Sequence, residues 1–138
     1  MYGNRDQTRQ VFLDVWQKMQ HRQPLEPMEA LIADVIELHP EYHPLLDHPE
    51  QALGADYHPD SGQANPFLHM AMHIALREQA GTDRPAGIRP LHQTLAARLG
   101  RHEAEHAMME CLGQALWEAQ RSGQMPDEAA YLDCLKRI

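Results

Sequence analysis

Histidine is the residue that stands out in this chain of 138 residues, which carries ten of them. Four of these form two pairs at a spacing of four, His69 with His73 and His102 with His106. An α-helix turns about 100° per residue, so each pair would present its rings on one face, one turn apart. Two such pairs on facing helices can close around a metal ion, the way helix bundles build metal centres from inward side chains. Glu110 follows His106 by one turn. His39 falls at the end of an earlier apolar face, with His43 four residues on. The candidate ligand set is therefore His39, His43, His69, His73, His102, His106 and Glu110, for a mono- or dinuclear site. Imidazole with carboxylate suits zinc, iron, manganese or nickel better than calcium.

Several chemistries share these residues. The run His102-Glu103-Ala104-Glu105-His106 has the H-E-x-x-H form of zinc proteases, in which both histidines bind zinc and the first Glu activates water. Against it, Glu105 puts a charge where that signature carries uncharged residues, and nothing upstream reads as the strands of a protease sheet. A ferritin-like di-metal centre needs two Glu-x-x-His motifs. Only Glu103 to His106 fits, and Glu103 points away from the proposed interior. The spacings His69/His73 and His106/Glu110 copy those of haemerythrin-like di-iron sites, though the order and the loop histidines do not. An enzyme built here would activate water or dioxygen on the metal, with Arg77 and Glu78 as supporting groups one turn beyond His73.

The alternative is a buried histidine hydrogen-bond network without metal, in a non-enzymatic interaction or stress-response module. Buried neutral imidazoles need partners, since an unsatisfied ring nitrogen costs about 1 to 3 kcal/mol. His48 and His58 lie in a Pro/Gly-rich connection, and His21 and His92 read as surface or helix-end residues.

The elements that must position these side chains are helical. Unbranched residues dominate, with eight methionines and only two phenylalanines, and these lose little rotamer freedom in a helix. Val11, Phe12, Val15, Trp16 and Met19 draw the stripe of a first helix over about 5–21, and Pro24 and Pro27 end it and open the next. Met28, Leu31, Ile32, Val35 and Ile36 continue the period, with His39 completing the buried face before Pro40 stops the helix. Four His-Pro pairs between 39 and 60, with Gly54 and Gly62, predict a long connection with one helical turn around Leu45 and Leu46. Asn65-Pro66 is a cap and first-turn signal for a central helix, apolar nearly all round, that Gly81 ends. A short helix follows over about 91–99, and then a long one over about 101–122. On that long helix His102, His106, Met109, Gly113, Leu116 and Gln120 form one stripe, and Gly113 would permit a close helix approach. A last short helix starts at Asp127. The expected fold is an all-α single domain over 1–138, a bundle of five to six helices with a long His/Pro-rich loop between helices two and three.

Charge narrows the partners. The formal net charge is −8, from 12 Lys+Arg against 20 Asp+Glu, and no basic cluster exceeds Lys136-Arg137. Nucleic acid and anionic membrane are poor partners for such a surface, which leaves a small molecule or a protein. The polar start MYGNRDQTRQ lacks the apolar stretch of a secretion signal, and no run approaches a membrane span, so a cytoplasmic protein is expected. With only two cysteines, Cys111 and Cys134, reduced thiols are expected rather than a disulfide scaffold.

Four segments taken together, HPEYH at 39–43, NPFLHMAMHIALREQ at 65–79, DRPAGIR at 83–89 and HEAEHAMMECL at 102–112, resemble an uncharacterised bacterial family, domain of unknown function 1841. The resemblance runs over nearly the whole chain. It implies no activity, but it places the candidate ligands inside the family's characteristic segments and leaves the stretch 51–63 and the C-terminal tail outside them.

Overall fold

The computed structural model describes residues 5–57 and 65–138. The fourth His-Pro pair, His58-Pro59, and Gly62 fall outside the described residues. Among those described there is no strand, and eight α-helices with one 3-10 turn follow each other: α1 Arg5–Gln20, α2 Pro27–Glu37, the 3-10 turn Pro40–Tyr42, α3 His43–Leu46, α4 Pro49–Gly54, α5 Pro66–Thr82, α6 Ile88–Leu99, α7 Arg101–Ser122 and α8 Glu128–Lys136. The all-α expectation holds, but eight helices replace the expected five to six. The difference lies in the His/Pro-rich stretch, much of which is helical rather than loop. Pro40, Pro44 and Pro49 each stand at the first or second position of a short helix. There the missing N–H would have had no partner and the ring-fixed φ is already helical, so these prolines start turns rather than break them.

The chain divides into two compact units, Met1–Ala71 and Met72–Ile138, with the division inside α5. In the first unit α1 buries Phe12, Leu13, Val15 and Trp16, while Val11 of the expected stripe is exposed. α2 opens on a capping box between Glu26 and Glu29 and buries Ile32, Ala33, Val35 and Ile36. The guanidinium of Arg9 is buried and donates to the carbonyls of Ala52 at 2.8 Å and Ala55 at 2.7 Å. Those are carbonyls at the end of α4, which the helix itself cannot satisfy. Asn65 caps α5 as expected, its Oδ1 accepting from the backbone N–H of Phe67 at 3.0 Å and Leu68 at 3.3 Å.

In the second unit the core consists of Leu76, Ile88, Leu95, Ala104, Met108, Cys111, Leu112, Tyr131 and Leu135. The DRPAGIR segment joins α5 to α6 by reciprocal capping. Asp83 Oδ1 accepts from the N–H groups of Gly87 and Arg89 at the start of α6, and Arg89 donates back to the carbonyls of Ala80 and Gly81 at the end of α5. α6 begins at Ile88, three residues before the expected Leu91, because Pro90 falls within the first turn, where proline is tolerated. Gly100 turns α6 into α7 at φ +87°, a conformation that favours glycine.

Two expectations fail in this unit. The buried stripe of α7 is Ala104, Glu105, Met108, Cys111 and Leu112, rotated away from the expected one, so that Leu116 and Trp117 are exposed and His102 and His106 sit half-buried on its shoulder. Cys111 and Cys134, expected as thiols, form a disulfide between α7 and α8 with their Cα atoms 5.8 Å apart. α8 docks Tyr131 and Leu135 beside it. No helix among the described residues is long and apolar enough to cross a membrane.

Candidate metal centre

In the second unit, the His-x-x-x-His spacing on α7 brings His102 and His106 against His73 of α5. The ring centroids are 4.9 Å apart for His73 and His102, 5.1 Å for His73 and His106, and 4.2 Å for His102 and His106. His73 has no exposed surface. Its Nδ1–H donates to Glu105 Oε1 at 2.8 Å, which in the neutral ring puts the lone pair on Nε2. A carboxylate behind a histidine in this way fixes the tautomer and orientation of a metal-binding imidazole.

Glu105 is itself fully buried. Its two oxygens share four donated hydrogen bonds: from His73 at 2.8 Å and Arg77 Nε at 3.1 Å on Oε1, and from His92 Nε2 at 2.9 Å and Arg77 Nε at 3.2 Å on Oε2. Burial pushes the carboxyl up, but the His73 and His92 hydrogen bonds and the Arg77 charge outweigh it and hold the group at about 2. The carboxylate is thus ionised at neutral pH and acts as an acceptor. Arg77 is also buried, and its Nη2 has no hydrogen-bond partner among the described residues.

On the same helix as Glu105, ligand atoms of His102, Glu103 and His106 lie within 4.8 Å of one another. Glu103 Oε1 is 3.8 Å from His106 Nδ1 but its side chain is 71% exposed. In an H-E-x-x-H protease the corresponding Glu faces the enclosed water on the metal. An exposed Glu103 and the absence of strands among the described residues both depart from that pattern.

In the first unit His39 completes the buried face of α2, as the sequence predicts. It is 1% exposed, its Nδ1–H donates to the Val35 carbonyl at 2.7 Å, and its ring meets that of His69 edge-on with centroids 5.0 Å apart. Tyr42 stacks on His39 at 5.3 Å. Burial raises the Tyr42 hydroxyl above its ordinary range, with Glu41 and Tyr57 adding to the rise. His69 lies one turn before His73 on α5. His43 is used differently: its Nε2–H donates to the Ile36 carbonyl at 2.9 Å and its ring lies 4.5 Å from Trp16. Glu110 is exposed, and neither it nor His43 belongs to a group of converging ligand atoms among the described residues.

Sequence reasoning missed two members of the Glu105 network. Glu105 reads as an anomaly inside the H-E-x-x-H run, although Ala104, Met108 and Leu112 mark its side of the helix as a buried stripe. His92, expected at the surface, is 9% exposed. Its signal is the spacing Ile88, His92, Leu95, which places it on the apolar face of α6. Arg77, expected as a supporting group, hydrogen-bonds Glu105, while Glu78 is exposed.

No curated protein and no solved structure matches the chain. A family does: residues 4–137 match the domain of unknown function DUF1841, and the chain belongs to that family.

Proposed function

We propose that this is a metal-binding helical protein that holds a divalent transition ion, zinc, iron, manganese or nickel, on imidazoles of α5 and α7. The ligands are drawn from His73, His102 and His106 of the second unit. The observation that carries this reading is the carboxylate behind His73. Glu105 orients a buried imidazole from one side, while two more imidazoles crowd the ring from within the same unit. Ligand atoms of His102 and His106 lie within 4.8 Å of one another and of Glu103, and the His73 ring packs on both imidazoles. An ion bound by these imidazoles would supply the Lewis acidity that activates water or dioxygen, which makes a hydrolase or an oxygen-handling protein the reaction class proposed.

A second reading, a structural histidine network in an interaction or stress-response module, is favoured by the fact that every oxygen of Glu105 is already satisfied by protein donors.

Elemental analysis of protein purified without an affinity tag separates the two. Near-stoichiometric metal is expected, falling to background in His73→Ala and His106→Ala while the helical circular dichroism is retained. Metal-free protein whose melting temperature does not change on adding Zn²⁺, Fe²⁺, Mn²⁺ or Ni²⁺ overturns the metal reading.

A further inference from the structure

A cavity of about 300 Å³ opens between the C-terminal half of α7, the turn after it and α8. Both disulfide cysteines line it, beside Glu118, Arg121, Asp127 and Tyr131. We propose that this cavity is a thiol-exchange site, in which Cys111–Cys134 reacts with a small thiol that carries amino-acid charges. The inference is independent of the metal reading.

The two sulfurs are not equivalent. Cys111 is 4% exposed on the buried stripe of α7, whereas Cys134 is only half-buried. Exchange requires a thiolate to reach one sulfur and displace the other, so Cys134 is the sulfur attacked and Cys111 the leaving group. The incoming thiolate forms a bond to Cys134 Sγ, and the Cys134–Cys111 bond breaks with its electron pair on Cys111 Sγ, which then takes a proton from water. A second equivalent of the same thiol attacks the mixed disulfide at the ligand's sulfur and releases Cys134 as a thiolate. In sum the protein disulfide gains two electrons, and two ligand thiols become one ligand disulfide.

The lining selects the ligand class. Arg121, which lines the cavity, offers a cation to a carboxylate, and its guanidinium lies 4.7 Å from the centroid of the Trp117 ring. Glu118 and Asp127 offer anions to an ammonium. A thiol with a carboxylate at one end and an α-amino acid at the other, such as a γ-glutamyl tripeptide, matches both signs. The volume falls at the lower end of small-molecule sites.

The test uses the full chain and glutathione as probe, with uncharged 2-mercaptoethanol at matched thiolate concentration as control. Opening is followed by maleimide labelling after an acid quench. Glutathione is expected to open the bridge faster than the control. Arg121→Ala should slow glutathione alone by about threefold, the size of one exposed charge pair, and Arg121→Lys should restore the rate. Cys111→Ser treated with oxidised glutathione should carry one adduct, at Cys134 by peptide mass. Equal rates for the two thiols, an Arg121→Ala effect common to both, an adduct at another site, or a bridge that neither thiol opens in the folded protein overturns the proposal. Arg121 is exposed, so its replacement leaves the fold in place to be tested.

Discussion

Glu105 sets the electrostatics of the second unit by bringing a charge inside and surrounding it with donors. Breaking a buried pair by removing one partner leaves the other charge uncompensated, typically at about 3 to 5 kcal/mol. Glu105→Gln keeps the shape of the side chain but strands the Arg77 guanidinium, so a destabilisation of that size is expected in urea unfolding. A change below about 1 kcal/mol would mean that Glu105 does not offset the buried Arg77 charge as described. The pH dependence follows from the sign of the shift. The folded carboxyl sits at about 2 against an ordinary 4.5, so it stabilises the fold above 4.5 and that stability is lost as pH falls toward 2. In chelator-treated protein the gap between wild type and Glu105→Gln should narrow across that window, and a constant gap counts against the assignment. His73, His102 and His106 were legible because imidazoles four apart on an apolar run advertise a shared face. Glu105 was not, since a lone glutamate between two histidines carries no sign of burial until the Ala104, Met108 and Leu112 stripe is given priority over the histidine stripe. His92 was lost among the polar residues Arg89, Gln93 and Thr94, although Ile88 and Leu95 bracket it at helical spacing.

At the scale of elements, the sequence placed the long helices well and the short ones poorly. Asn65-Pro66 marked the start of α5 because capping chemistry is local and needs no tertiary knowledge. Replacing Asn65 by Ala should cost about 1 kcal/mol, and Asn65→Asp should recover most of it, as read by urea midpoints. The His-Pro pairs misled for the opposite reason. A proline ends the preceding helix and starts the next with equal ease, and only packing against α1 decides which. Gly113 was expected to mark a tight helix approach. A Cβ built there meets only the Cε of Met72 at 3.9 Å, an ordinary contact with a flexible side-chain end. Gly113→Ala should therefore stabilise the protein, by about 0.5 to 1 kcal/mol, through the reduced freedom of the unfolded chain. A loss of stability instead would show that α7 needs the gap.

At the scale of the whole chain, composition correctly limited the architecture to helices but said nothing of the bridge that joins two of them. Two cysteines in 138 residues are too few to be a scaffold, and counting cannot reveal that Cys111 lies on the buried stripe of α7 facing α8. The bridge spans 23 positions of sequence, and closing a loop of that length in the unfolded state stabilises the fold by about 3 kcal/mol in the chain-entropy account. α8 is nine residues long and buries only Tyr131 and Leu135, so the cross-link supplies a large share of what keeps it docked. The double variant Cys111→Ser/Cys134→Ser is expected to melt about 10 °C lower than the oxidised protein. Amide hydrogen exchange should rise in α8 and the C-terminal half of α7, while amides of α1 and α2, which have their own buried residues in the first unit, keep their protection. Unchanged melting, or a loss of protection spread evenly over both units, would show that α8 is held by its side chains and that the bridge adds nothing to the fold.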